Sequence, residues 1–418
     1  MESIICRDIL RVDRFRWAAC QLDALVTCLD YDGLEETLAN LPGTLGETYA
    51  RILSGIPQNI KRKAIRILQF LAFSERPLRI EEAVDAIAVD TKGDTKGDQY
   101  FNPKRRMPNP QEITRYCSSL VVVVSTKGHS YDKDGGHLEL HLAHFSVKEY
   151  LMSDQLDKRI AQDFQEVAAK VSIATVCLAY LLHLDQDFLI KEIKETFPLA
   201  QYSARHWMIN AMVAKEEDKT VQGLIVKFFC SHPRSYKTCY SLYLPDRQWY
   251  PDLDLRGNNQ APPLYYASFG GFRNAVQCLL SQDADVNVQG GVYGNALQAA
   301  SVGGHEKVVE LLFGKGADVN ARGGLYGNAL QAASDEGHEK VVELLLGKGA
   351  DVNAQGGRYG NALRAASDRG HEKVVELLLG KGADVNAQGG WYGNALQAAS
   401  DRGHEKVVEL LLGRGAVL

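Results

Sequence analysis

The chain has 418 residues, 45% of them hydrophobic, enough for the buried cores of two or three domains. A formal net charge of −5 gives no field to draw nucleic acid or an anionic membrane, and eight scattered cysteines with no CxxC pair exclude a small disulfide framework and suit a reduced, cytoplasmic setting. Charges run through Met1 to Trp17 with no signal-peptide core, and the longest apolar run, Val171 to Leu182, is too short to span a bilayer, so no membrane contact is expected.

In chain order, residues 41–153 read as a compact mixed module. Thr44-Leu45-Gly46-Glu47 is a capping box that starts a helix carrying Tyr49, Ile52 and Leu53. Ile60, Ala64, Ile67, Leu68 and Leu71 line one face of a second helix. After a break at Pro77, a third follows with Ile80, Ala83, Val84 and Ile87 at helical spacing. A polar loop holds the tandem duplication Thr91 to Asp94 and Thr95 to Asp98. Pro110 to Cys117 predicts a short helix, Leu120 to Ser125 a valine-rich strand, and His137 to Leu142 its alternating partner. Ser146-Val147-Lys148-Glu149 is a second capping box, opening a helix through Tyr150 and Leu151. Helices followed by a hairpin are winged-helix organisation. The basic clusters Lys61-Arg62-Lys63 with Arg66, and Lys104-Arg105-Arg106, are offset by Glu75, Glu81, Glu82, Asp85 and Asp90 and make no sustained stripe, which argues against nucleic acid. His137, Glu139 and His141 share one strand face; a solvated hairpin face explains them better than a metal.

Residues 154–256 read as a helical spacer, with Ala168 to Leu182, Trp207 to Met212 and Val221 to Phe228 at helical spacing. Its aromatic end, Tyr240 to Tyr250, is expected to cover the first unit of the repetitive region after it.

From 257 to 418 the chain is a tandem array of five units (257–289, 290–322, 323–355, 356–388, 389–418). The last four are nearly identical, YGNALQAASxxGHEKVVELLxxxGA, with the tyrosine at Tyr293, Tyr326, Tyr359 and Tyr392. Within a unit, Asn295 caps a short helix of small residues, Ala296 to Ala300, which Gly303-Gly304 ends. Val308, Val309, Leu311 and Leu312 form the apolar stripe of a second helix that stops at Gly314. Such units bury their apolar faces only against one another, so the array offers a surface rather than a reaction. The final Gly413 to Leu418 stands where the pattern calls for GADVNA, which reads as a shortened array.

Near-identity makes the differing positions conspicuous. Val292, Leu325, Arg358 and Trp391 are expected at the tips of the inter-repeat fingers, as a protein-recognition surface would place them. Arg364 differs from Gln298, Gln331 and Gln397, and the pairs Asp335-Glu336 and Asp368-Arg369 differ from Val302-Gly303; neutral drift is the alternative. The invariant His305, His338, His371 and His404 are expected to satisfy turn backbone rather than bind metal. No GxSxG elbow or Cys/His arrangement names a nucleophile, so neither enzymatic activity nor a cofactor is expected.

Several stretches carry a resemblance. GADVNA and GHxxVVxLLL resemble the ankyrin repeat. Arg14 to Leu25, Leu41 to Leu53, Phe73 to Asp90 and Leu142 to Leu151 resemble the fungal NACHT-ankyrin proteins. Leu142 to Leu151 is also similar to the winged-helix segment of NOD-like receptors, of a domain type named after GPI inositol-deacylase; that label imports no esterase activity. The resemblance implies a NACHT remnant over residues 1–40, and it assigns His144 to contact with a bound nucleotide's phosphate. The phosphate-binding G-x4-G-K-S/T loop is missing, since Gly314-Lys315 and its copies are followed by Gly, so His144 is expected to be vestigial or structural. The implied function is a NOD-like interaction protein: the ankyrin repeats bind a protein partner and the winged helix relays to a signalling partner, which includes a NACHT-family chain. The alternatives are a nucleic-acid-binding winged helix and a subunit of a nucleotide-switched NACHT assembly.

Overall fold

The computed structural model describes residues 16–21, 30–91, 100–126, 136–216, 218–247, 261–389 and 393–417. It forms two compact units, Met1–His183 with Phe188–Lys215, and Leu184–Asp187 with Glu216–Leu418.

In the first unit the helices are α1 (Tyr31–Ala39), α2 (Leu45–Gly55), α3 (Gln58–Phe73), α4 (Ile80–Ala88), α5 (Phe145–Leu151), α6 (Lys158–Ala161), α7 (Glu166–His183), α8 (Ile190–Thr196) and α9 (Leu199–Ala211). The capping box at Thr44 forms in both directions: its hydroxyl accepts the Glu47 N–H, and the Glu47 carboxylate accepts the Thr44 N–H. The second expected box does not form. His144 is the cap of α5, its Nδ1 accepting the Ser146 N–H, and Ser146 lies inside the first turn. An imidazole nitrogen can accept as a hydroxyl does, and Ser146 Oγ is engaged instead with Tyr49 at 2.9 Å and His144 at 2.7 Å.

The expected hairpin is present as β2 (Val121–Ser125) and β3 (Leu138–Leu142), and Pro110–Tyr116 forms a 3-10 turn rather than an α-helix. A third strand, β1 (Leu78–Arg79), pairs antiparallel with β3, Leu78 opposite Leu140, giving the sheet order β1-β3-β2. Two residues carry no period, so this strand is invisible in sequence; its pairing with β3 creates it.

Helix α7 is 18 residues long and apolar enough, by length and composition, to cross a bilayer, longer than the run Val171 to Leu182 suggests. Ile173 to Leu182 are buried inside the unit, where α7 packs on α9 and α3, so it is the core helix. The expected spacer is accordingly not one body. Its first part joins the winged-helix core, and its second part belongs with the repeats.

The second unit opens with a helix pair, α10 (Lys219–Cys230) and α11 (Pro233–Leu242). Five pairs follow, α12/α13 (Pro263–Phe269, Arg273–Ser281), α14/α15 (Ala296–Val302, Glu306–Gly314), α16/α17 (Ala329–Asp335, Glu339–Gly347), α18/α19 (Ala362–Arg369, Glu372–Gly380) and α20/α21 (Ala395–Arg402, Glu405–Gly413). First helices stack on first helices and second on second. Small residues make the close stacking possible: Ala299, Ala300, Ala332, Ala333, Ala365 and Ala366 are fully buried.

Candidate protein-interaction surface

Each repeat binds the next through the residues that recur most strictly. Histidine Nε2 reaches a backbone carbonyl of the preceding repeat: His305 to Phe269, His338 to Val302, His371 to Asp335 and His404 to Asp368, at 2.8–3.0 Å. A carbonyl only accepts, so Nε2 carries the proton in each case. Burial lowers the His305 pKa and keeps that ring neutral. The repeated asparagine bridges forward. Asn353 Nδ2 donates to the Gly382 carbonyl at 3.1 Å and its Oδ1 accepts the Asp384 N–H at 2.8 Å, a pattern that Asn287, Asn320 and Asn386 share. Replacing Asn353 by Ala is expected to lower stability by about 1 kcal/mol, read as a shifted urea midpoint, because both exposed backbone groups regain water.

The fingers between repeats are stacked backbone to backbone. Within a finger, Gly323 N–H bonds Gly327 O at 3.0 Å and Gly356 N–H bonds Gly360 O at 2.9 Å. Between fingers, the Leu325 N–H donates to Val292 O and the Arg358 N–H to Leu325 O, each at 2.9 Å. Gly324 and Gly357 hold φ of +62° and +66°, and a Cβ on either would run into the carbonyl of Tyr293 or Tyr326. Beneath lies a column of near-parallel rings, Tyr293, Tyr326 and Tyr359, with centroids 5.8 and 6.3 Å apart.

These contacts sort the sequence-derived candidates. Val292 is not a surface residue. It is 1% exposed, and its N–H donates to the Asp246 carboxylate, which lies over the first finger. Arg364 is likewise buried at 1%; it occupies the position from which Gln298 donates to Gly323 O and Gln331 to Ala354 O, and its guanidinium donates to Tyr359 O. Asp335 and Asp368 are buried because each accepts an arginine from the following repeat, Arg369 at 3.0 Å and Arg402 at 3.4 Å. A carboxylate compensated in this way is interface, not ligand contact. Four of the nine candidates are therefore interior rather than facing solvent.

Four others remain accessible. Arg358 is exposed, with its guanidinium over the Tyr359 ring at 5.5 Å, and Leu325 is half-buried at the neighbouring tip. Glu336 is exposed and accepts from Tyr326 at 3.3 Å, and the Arg369 side chain is 50% exposed beyond its ion pair. Trp391 lies outside the described residues. On the second-helix layer, a groove of about 550 Å³ runs between α13 and α15, lined by Arg273, Gln277, Leu280, Lys307, Leu311 and Lys315.

Asp246 was missed at the sequence level. It accepts hydrogen bonds from the Tyr265 hydroxyl at 2.8 Å, the Tyr266 hydroxyl at 3.0 Å and the Val292 N–H, while Tyr240 stacks on Tyr266 at 4.0 Å. A lone acid in an aromatic stretch, followed by a Tyr-Tyr pair, was its signal. The described part of this stretch, Tyr240 to Arg247, covers the first repeat as expected, together with α10, which packs on α13, while residues 248–250 lie outside the described residues.

In the winged-helix unit, His144 is half-buried at the α5 cap and lines a cavity of about 250 Å³ with Ser74, Arg76, His141, Phe145 and Lys148. His137 and His141 both bond Glu139 at 2.9 Å. Burial works to raise the Glu139 pKa, but the two imidazoles outweigh it and hold the carboxylate below its usual range. The basic clusters are largely engaged internally. Arg66 is buried and donates to Ala86 O and Val89 O, Arg106 pairs with buried Asp85, and Arg105 pairs with Asp90. Burial lowers the Arg66 pKa to about 10.

Comparison with known proteins fits this anatomy. Residues 209–323, 264–356 and 329–418 match the family model for ankyrin repeats, starting ahead of the first expected unit and so taking in α10 and α11. Residues 50–163 match the winged helix domain of GPI inositol-deacylase. Over 284 residues, 64% of this chain, the sequence is 38% identical to the azaphilone pigments biosynthesis cluster protein L of Monascus ruber, and the match spans 58% of that protein's length.

Proposed function

This chain belongs to the ankyrin-repeat family and carries a winged helix domain of the GPI inositol-deacylase type, and from that premise we propose that it is a non-enzymatic, cytoplasmic interaction protein of NOD-like receptor type. The ankyrin array takes a protein partner at its finger tips, and the winged-helix unit relays occupancy to a signalling partner, a NACHT-family chain among them. One observation carries this reading. The tips are an accessible periodic position whose chemistry changes from Leu325 to Arg358 while the tip-to-tip backbone bond is kept. An exposed arginine on a rigid backbone, as at Arg358, is a side chain that an interface anchors on. The strictly repeated His and Asn residues are used between repeats. The name of the Monascus relative speaks of a biosynthesis cluster and not of a reaction.

The test is affinity capture with the full chain and with the double variant Leu325→Ala/Arg358→Ala. Partners that bind the parent should bind the double variant at least about tenfold more weakly, with the melting temperature unchanged. Equal capture of every partner by both proteins would refute the finger-tip site.

A further inference from the structure

Six cysteines lie among the described residues, and four of them, Cys20, Cys117, Cys177 and Cys239, are buried. The other two, Cys230 and Cys278, are partly exposed. Cys230 ends α10, and Cys278 lies on α13, the helix against which α10 packs. The Cys230 Sγ is 3.9 Å from the carbonyl oxygen of Ala275, which lies one turn before Cys278 on α13. Two partly exposed thiols on packed helices, one reaching within a turn of the other's position, are the starting arrangement for a disulfide between those helices.

We propose that Cys230 and Cys278 are a thiol modification site, at which a low-molecular-weight disulfide such as oxidised glutathione converts the pair to an intramolecular disulfide that staples α10 to the first repeat. One thiolate attacks a glutathione sulfur, forming a protein–glutathione bond and releasing one glutathione thiolate, which takes up the proton. The second cysteine, as thiolate, then attacks the protein-side sulfur of that bond. The Cys230–Cys278 bond forms and a second glutathione leaves, so two protein thiols are oxidised and one glutathione disulfide is reduced to two thiols. Burial, and then the neighbouring Cys278, push the Cys230 thiol up to about 12, so closure is slow at neutral pH and accelerates as pH rises. A disulfide built on such a poor leaving group is also slow to be reduced. The staple would fix the capping helix pair, on which the first repeat depends for cover, and it stands independently of what the finger tips bind.

The experiment treats the native full chain with oxidised glutathione, blocks remaining thiols by alkylation, and maps the peptides by mass spectrometry. The expected product is monomeric, lighter by two hydrogen atoms, with the Cys230 and Cys278 peptides joined, and melts about 5 °C or more above the reduced protein. Cys230→Ser should instead stop at glutathionylated Cys278 and show no such rise, and Cys278→Ser should stop at glutathionylated Cys230. Recovery of both cysteines alkylated from folded, oxidant-treated protein would overturn the proposal. So would a stable glutathione adduct on the parent chain or a link between two chains.

Discussion

Asp246→Ala is expected to unfold the amino-terminal edge of the repeat array, lowering stability by about 3–5 kcal/mol. The carboxylate is 2% exposed and is the shared acceptor of the Tyr265 and Tyr266 hydroxyls and the Val292 N–H. Burial and then the Asp246 charge drive the pKa of both tyrosines well above the ordinary phenol range, so both remain donors across the physiological range. Removing the carboxylate leaves three buried donors without their acceptor, and each stranded donor costs about 1–3 kcal/mol. Because a solenoid is stabilised by nearest-neighbour contacts, the loss should be local. Hydrogen exchange should show lost protection at α12 and the first finger, with α19 and α21 protected as before. Unchanged exchange at Tyr265 and Val292 would show that Asp246 is dispensable to the cap.

Asp85→Ala should destabilise the winged-helix unit by a similar amount, about 3–5 kcal/mol. Asp85 is 1% exposed and receives Arg106 through two bonds of 2.6 and 3.0 Å and the Tyr180 hydroxyl at 2.5 Å. Arg106 also donates to Thr196 O at 2.8 Å and lies over the Phe101 ring at 5.4 Å, so this one pair connects α4, α7 and the end of α8. Losing the carboxylate leaves a partly desolvated guanidinium and a buried phenol unanswered, which is why deleting one partner costs more than the pair contributes. Denaturant unfolding of Asp85→Ala, Arg106→Ala and the double variant measures the coupling. It should be about 1–3 kcal/mol, and additive single effects would contradict a linked pair.

Much of the architecture was legible because it is periodic. The 33-residue recurrence, the valine-rich hairpin and the Thr44 capping box each express a local rule, and the helices and strands formed where those rules placed them. The interaction candidates were only half legible. Arg364 and Asp335 stood out as departures from the repeat, and departure suggested exposure. A residue can differ between repeats and still be interior when a neighbour's arginine or a backbone carbonyl receives it.

By itself, then, the sequence determined the stacked-repeat class, the winged-helix order and the finger backbone, since each follows from spacing along one chain. Tertiary structure alone decided that Asp246 caps the array, that His144 rather than Ser146 caps α5, and that Leu78-Arg79 is a strand. It also decided that Val292 and Asp368 are interior and that Cys230 reaches the helix that carries Cys278. These depend on partners distant in sequence, and burial or pairing of a polar group is set by what arrives opposite it in space, a quantity no local periodicity encodes.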